Sequence, residues 1–208
     1  MQAVDAAAID RLGIPRLLLM EHAGLAVARV VRRWVGPPPR SVAVCSGLGY
    51  NGGDGLCAAR HLSQWGYRVR VWLAGRASDL REEPAVYARI LRRLDVPIAD
   101  AGSRQGVSWN GCRAVIDALL GIGLHGLVRA PYARMIERIN QAGAPVIAAD
   151  IPSGLDADTG RRCGIAVRAD ATVTFGRPKQ GLFLAEGPAH AGRIIVDSIT
   201  VPPSLLMP

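Results

Sequence analysis

The chain has 208 residues, half of them apolar, which suits one domain with a sizeable core, so we treat residues 1–208 as a single domain. No apolar run approaches the roughly 18 residues of a membrane span, and the N-terminus lacks a signal-peptide pattern, so we expect a cytoplasmic protein without a membrane partner. The formal net charge is +8, but its arginines are scattered along the chain, which argues against a nucleic-acid-binding arm. The four cysteines form no C-x-x-C pair, so neither a zinc site nor a disulfide framework is indicated.

Helical periodicity opens the chain and precedes any strand. Apolar spacing predicts helices over 4–12 and 15–35, and the short apolar run 41–46 predicts a buried strand. A helix over 55–65 and a strand over 67–73 follow, which completes one βαβ unit.

Short apolar runs that are typical of strands continue in the second half of the chain. Ser78 is placed to cap a helix that runs to about Leu94. Further strands are predicted over 114–117, 145–149 and 171–175, with a helix over 131–141. This alternation predicts a parallel sheet that is covered by helices on both faces, and the tail from Pro202 onward reads as a linker or frayed end.

Three predicted strands are followed by loops that combine glycines with a carboxylate. They are G-L-G-Y-N-G-G-D-G at 47–55, D-A-L-L-G-I-G-L-H-G at 117–126, and D-I-P-S-G-L-D at 150–156. Ligands of open α/β sheets bind outside the carboxyl ends of the strands, so we expect these three loops to form the functional site.

The first loop contains a literal G-x-G-x-x-G, which is typical of a pyrophosphate-binding turn, but it also carries Asp54. As a helix N-cap, Asp54 would occupy the backbone donors that receive a phosphate. Its charge would repel a phosphate about 4 Å away by roughly 1 kcal/mol in water and about 4 kcal/mol at an effective dielectric of 20. A plain pyrophosphate site is therefore disfavoured, whereas ribose hydroxyls, a carboxamide or a cation would suit these acceptors.

Each candidate also has a purely structural interpretation. Asp54 would be only an N-cap, and Asn51 only a residue that tolerates positive φ. Asp117 would be a strand-end residue satisfied by backbone N–H groups, and 150–154 a turn. We expect His125 to be exposed rather than a ligand, and His22 to be a packed or capping residue rather than a catalyst.

In this order the segments resemble the YjeF N-terminal domain family, the NAD(P)H-hydrate epimerases. The matching segments are 19–24 (L-M-E-H-A-G), 47–62, 115–124, 150–156 and 175–182 (F-G-R-P-K-Q-G-L). The resemblance implies a Rossmann-like three-layer α/β/α sandwich with two extra N-terminal helices, usually a homodimer. It also implies a substrate, NADH or NADPH hydrated at C6 of the nicotinamide ring, whose R and S forms the enzyme interconverts.

The resemblance also implies roles for particular residues. The substrate would contact Tyr50, Asn51, Gly52, Gly53, Asp54, Gly121, Ile122, Gly123, Leu124, His125, Gly126 and Asp150. A potassium ion would be bound by Asn51, Asp117 and Ser153, and Asp150 would be the catalytic acid and base. Because C6 is a carbinolamine carbon, the ring nitrogen can expel hydroxide, and water can re-enter the resulting cation from either face. A carboxyl group can assist both steps.

Three positions depart from the family pattern: Tyr50 replaces an asparagine, Ile122 a threonine, and His22 an asparagine. The sequence also bears on two other functions. An NAD(P)-dependent oxidoreductase is disfavoured by Asp54 and by the absence of an acidic residue after the second strand, at 73–76. A non-catalytic nucleotide-, RNA- or protein-binding module is supported only by the basic charge. Many relatives continue into an ADP- or ATP-dependent dehydratase, so a fused or separate dehydratase partner is expected.

Overall fold

The computed structural model describes residues 2–102 and 107–206, with strands and helices alternating along most of the chain. The strands are β1 (Ser41–Ser46), β2 (Arg68–Leu73), β3 (Ile98–Asp100), β4 (Cys112–Ala118), β5 (Val146–Ala149), β6 (Ala171–Phe175) and β7 (Arg193–Asp197). The helices are α1 (Gln2–Asp10), α2 (Arg16–Val35), α3 (Tyr50–Gln64), α4 (Glu82–Arg93), α5 (Tyr132–Asn140), α6 (Gly187–Ala191) and α7 (Pro203–Leu206). No helix in the described ranges has the length and apolar character needed to cross a bilayer.

The strands form one sheet in the order β3-β2-β1-β4-β5-β6-β7, and every neighbouring pair is parallel. Successive side chains of β1 point to opposite faces, as the period of a strand requires. Val42 and Val44 pack with α2, α3 and α4, whereas Ala43 and Cys45 pack with α5 on the other face. The predicted α/β sandwich with a parallel sheet is confirmed.

The sheet order reverses between β1 and β4. From β1 the chain passes through α3 to β2 on one side, and β4 then pairs with β1 on the other side. At such a switch point the loops that leave the two strands diverge and open a crevice. The loops after β1, β4 and β5 therefore meet at the edge of the sheet where the sequence predicts the site.

The predicted bounds of β1 and β6 are confirmed, but several others are wrong. Helix α3 begins at Tyr50 rather than Gly55, and α4 begins at Glu82, with Ser78 in a preceding 3-10 turn. Strands β3 and β7 were not predicted, because the first has only three residues and the second is half exposed. The tail was expected to fray, but residues 203–206 form α7, which lies against α1.

Candidate functional site

A cavity of about 610 Å³ opens at the switch point. Tyr50, which is 45 % exposed, lies at its mouth, and the nearly buried Asp150 and Lys179 lie at its floor. Its wall is mostly apolar and is completed by the following residues: Ala6, Ile9, Asp10, Arg16, Leu19, Met20, Ala23, Gly49, Asn51, Asp54, Leu119, Leu120, Gly121, Ile122, Gly123, Leu124, Tyr132, Phe175 and Ile199.

Asp150 directly follows β5 and forms a buried ion pair with Lys179. Its backbone lies in the left-handed region with φ +67°, which aspartate adopts more readily than most residues, and its N–H donates to the carbonyl of Val173 at 2.7 Å. Oδ1 accepts from Lys179 Nζ and from the Phe175 N–H at 3.2 Å. The carboxylate is therefore held rigidly at the cavity floor.

Lys179 was not predicted as a site residue, although it lies in the segment 175–182, which resembles the family. Its ammonium also donates to Thr174 Oγ1 at 3.2 Å and to the carbonyl of Phe175 at 3.0 Å. All three of its N–H groups therefore have acceptors, which holds the Lys179 side chain in place beside Asp150. A signal was available in the sequence, because it is the only lysine among the 25 basic residues.

Asp117 is completely buried at the end of β4 and forms hydrogen bonds only with neutral groups in the described residues. Oδ2 accepts from the Ser153 N–H at 2.8 Å, and Oδ1 accepts from Ser153 Oγ at 2.6 Å and from the Leu119 N–H at 3.3 Å. Burial raises the pKa of Asp117 to about 6, although the bonds from Ser153 and Leu119 oppose the shift. The structure thus brings Asp117 and Ser153 together, as the resemblance implies.

Asn51 lies in the first turn of α3, next to the loop that follows β4. Both atoms of its side-chain amide are buried, and neither has a hydrogen-bond partner in the described part of the chain. The loop after β4 lies close to both Ser153 and Asn51. Its Leu120 N–H donates to Ser153 Oγ at 2.9 Å, and a Cβ on its Gly121 would be 3.2 Å from the Cβ of Asn51. A buried amide without partners is uncommon and calls for a ligand or an ion.

Gly52 and Gly53 allow the first turn of α3 to pack closely against its neighbours. A Cβ on Gly52 would be 2.0 Å from the carbonyl oxygen of Gly47, and one on Gly53 would be 2.6 Å from Met20 Sδ. Neither glycine lines the cavity, so their contact with substrate stays a prediction. Asp54 is the fifth residue of α3 and Gly49 is the N-cap, so the N-cap interpretation of Asp54 is wrong.

The remaining candidates are divided between the cavity and the surface. Residues 121–124 line the cavity, whereas His125 and Gly126 are exposed and outside its wall. Asn51 lies within α3 and not in a positive-φ turn, so that structural interpretation is also wrong. His22 is half-buried in α2.

Three side chains from different helices meet at the mouth of the cavity. Arg16 donates to the hydroxyl of Tyr50, which in turn donates to Glu82 Oε2. The guanidinium carbon of Arg16 is 4.4 Å from the centroid of the Tyr50 ring. The hydrogen bond to Glu82 raises the pKa of Tyr50, so its hydroxyl stays protonated. Sequence reasoning missed Arg16, which lies outside the three glycine loops.

A second polar cluster joins α2 to α3 away from the cavity. The potential ligand atoms of Glu21, Cys57 and His61 lie within 4.8 Å of one another. However, the guanidinium of Arg60 donates to Glu21 and, at 2.8 Å, to Nε2 of His61. Burial also raises the pKa of the Cys57 thiol, which disfavours the thiolate that a metal needs. We therefore assign this cluster to the packing of α2 against α3.

The sheet order and the switch-point cavity with its carboxylates define a Rossmann-like α/β/α protein with a ligand site at the carboxyl ends of the strands. Residues 16–181 match the family model described as "YjeF-related protein N-terminus". The chain belongs to this family, the YjeF N-terminal domain family.

Curated relatives and a crystal structure are similar to this chain over nearly all of its length. An NAD(P)H-hydrate epimerase of Limosilactobacillus fermentum is 40% identical over 94% of this chain and 92% of that protein. A bifunctional NAD(P)H-hydrate repair enzyme Nnr of Hyperthermus butylicus is 44% identical over 97% of this chain. The chain spans only 38% of that longer relative. The crystal structure of yeast ynu0, YNL200c, has a TM-score of 0.84 at 25% identity and covers 98% of this chain and 88% of that one.

Proposed function

We propose that this chain is an NAD(P)H-hydrate epimerase, which interconverts the R and S hydrates of NADH or NADPH at C6 of the nicotinamide ring. The observation that carries the proposal is the Asp150–Lys179 ion pair at the floor of the cavity. The names of the relatives support the proposal, because those of similar length are called NAD(P)H-hydrate epimerase. The mostly apolar wall suits a planar ring, and the polar floor provides the groups that the reaction needs.

The proposed reaction breaks and re-forms the bond between C6 and its hydroxyl oxygen. The lone pair of the ring nitrogen expels hydroxide, which leaves as water when Asp150, protonated at Oδ2 for this step, donates its proton to it. The carboxylate then stabilises the ring cation electrostatically. A water molecule adds to either face and gives a proton back to Oδ2 of Asp150, so that no net proton is consumed. Because Lys179 and the Phe175 N–H occupy Oδ1, we assign the substrate contact to Oδ2 of Asp150.

We further propose that Asn51, Asp117 and Ser153 bind a potassium ion. The buried Oδ1 of Asn51 without a partner supports this site, as do the carboxylate and hydroxyl oxygens of the other two residues, because hard cations prefer oxygen ligands. A cation would offset the charge of the fully buried Asp117 and connect the loops after β1, β4 and β5. Activity assays in potassium, sodium and N-methylglucamine chloride test this site, and equal rates in all three would remove it.

Three broader proposals accompany the activity. We propose a homodimer, which light scattering of the purified chain would detect, and a cytoplasmic location. We also propose that an ADP- or ATP-dependent dehydratase, fused or separate, consumes one of the two epimers. The bifunctional repair enzymes among the relatives support this coupling.

The test of the activity is exchange between the R and S hydrates of NADH and NADPH, resolved by chromatography and compared with the spontaneous rate. The wild type is expected to accelerate exchange, and Asp150→Asn to lower kcat by about 10²- to 10⁴-fold, the usual contribution of general acid–base catalysis. Asparagine tolerates the left-handed backbone at this position, so the variant should fold. A wild type that does not exceed background with either hydrate would favour the binding-module alternative.

A further inference from the structure

The charges that line the cavity are poorly matched to a dinucleotide. Asp10, Asp54 and Asp150 contribute three carboxylates to the wall. Among the described residues that line the cavity, the cations are Lys179 and Arg16. Lys179 is paired with Asp150 and donates to two further acceptors. Among these cavity residues, Arg16 is thus the cation that is left to bind a phosphate, either in the pyrophosphate of both cofactors or in the additional 2′-phosphate of NADPH.

We propose that Arg16 binds a phosphate group of the substrate at the mouth of the cavity. This inference rests on the proposed function, because it assumes that the nicotinamide ring reaches Asp150 at the floor. The phosphates would then extend toward the mouth, where the side chain of Arg16 is 42% exposed. Guanidinium and phosphate groups form charge-assisted, frequently bidentate hydrogen bonds, which makes arginine well suited to this role.

Tyr50 holds the guanidinium in place without using all of its donors. The Tyr50 ring lies under Arg16 at 4.4 Å, and its hydroxyl accepts one of the five N–H groups. The remaining donors are sufficient for two phosphate oxygens. Tyr50 and Arg16 therefore form one unit at the mouth of the cavity.

Glu82 is the competing acceptor for Arg16. Its Oε2 is 3.9 Å from Arg16 Nη1, and its side chain is 62% exposed. Exposed ion pairs contribute little to stability, so a phosphate can displace this carboxylate from the guanidinium at small cost. Removing the carboxylate with Glu82→Gln is therefore expected to tighten phosphate binding by about two- to threefold.

The experiment measures binding of NADH and NADPH by calorimetry to the wild type, Arg16→Gln and Arg16→Lys. Arg89→Gln is the matched control, because Arg89 is exposed on α4 and does not line the cavity. Arg16→Gln is expected to raise Kd by about tenfold or more, since a hydrogen bond to a charged group is lost. Arg16→Lys should recover part of the affinity, and Arg89→Gln should match the wild type.

The two cofactors distinguish the two sources of phosphate. A loss confined to NADPH assigns Arg16 to the 2′-phosphate, and an equal loss for both assigns it to the pyrophosphate. Affinities within twofold of the wild type for both cofactors would overturn the proposal. Because binding is measured without turnover, a wild type that binds both cofactors but does not epimerise their hydrates would remove only the proposed function. A wild type that binds neither cofactor would overturn the proposal for Arg16, whereas the proposed function depends on the exchange assay with the hydrates.

Discussion

Asp117 and Asp150 are buried carboxylates at the ends of adjacent parallel strands, but their surroundings differ. Asp117 accepts hydrogen bonds from Ser153 and the Leu119 N–H, all of them neutral donors. Asp150 instead contacts the ammonium of Lys179. Neutral donors offset only part of the cost of burying a charge, which explains why burial raises the pKa of Asp117 to about 6.

This difference assigns different tasks to the two carboxylates. Asp117 lies behind the cavity wall and holds the loop after β4 through Ser153, which accepts from the Leu120 N–H. Asp150 lies on the wall itself, where it can reach a ligand. Burial of a carboxylate is therefore not sufficient evidence for catalysis, and the charged partner together with access to the cavity separates the two.

The largest effect is expected from Lys179→Met, which removes the charged partner of Asp150. Breaking a buried ion pair leaves an uncompensated charge, so the free energy of unfolding should fall by about 3–5 kcal/mol. Asp150→Asn combined with Lys179→Met should recover most of that loss, because the remaining carboxylate charge is also removed. Urea unfolding of both variants and the wild type measures this coupling. Equal destabilisation of the single and the double variant would contradict the ion-pair interpretation.

A somewhat smaller effect is expected from the titration of Asp117. Its folded-state pKa of about 6 lies above the unfolded value of about 4, so the folded state binds more protons between these values. This contribution to stability is fully present below about pH 4 and is lost as the pH rises through about 6. Two pKa units correspond to about 3 kcal/mol.

The measurement is urea unfolding of the wild type and Asp117→Asn between pH 4 and 7.5 in potassium-free buffer. The stability of the wild type relative to Asp117→Asn should rise by about 3 kcal/mol as the pH falls across this range. Other groups titrate in both proteins, so their contributions cancel in the difference. A difference that does not change with pH would show that neutral hydrogen bonds fully offset the burial of Asp117.

The sequence predicted the strands that frame both carboxylates better than the contacts around them. These features could be predicted because their signals are local. The signals are the short apolar runs of β1 and β6 and the glycine loops that follow the strands. The early start of α3 was missed because glycines such as Gly52 and Gly53 disfavour helices, and only tertiary packing explains them. The Asp150–Lys179 pair joins residues 29 positions apart, which no local pattern encodes.

The smallest effect is expected from a substitution at Gly121. This glycine lies in the loop after β4, the strand that contains Asp117, and it approaches Asn51 closely. A Cβ at this position would be 3.2 Å from the Cβ of Asn51, so Asn51 or the loop must shift by a few tenths of an ångström, and the side-chain amide would move with Asn51. Gly121→Ala should change stability by less than about 1 kcal/mol, because reduced freedom of the unfolded chain offsets the tight contact.

The same substitution should nevertheless weaken the response to potassium. If Asn51 and Asp117 share the ion, Gly121→Ala will reduce the rise in melting temperature between sodium and potassium chloride, since ligand stabilisation depends on affinity. Gly123→Ala is the matched control, because a Cβ there would meet no atom within 4 Å. Asp150→Asn should keep the full potassium response, since Asp150 is not among the proposed ligands. A response that is equal in all of these proteins would separate Asn51 from the cation site and leave its buried amide to the substrate.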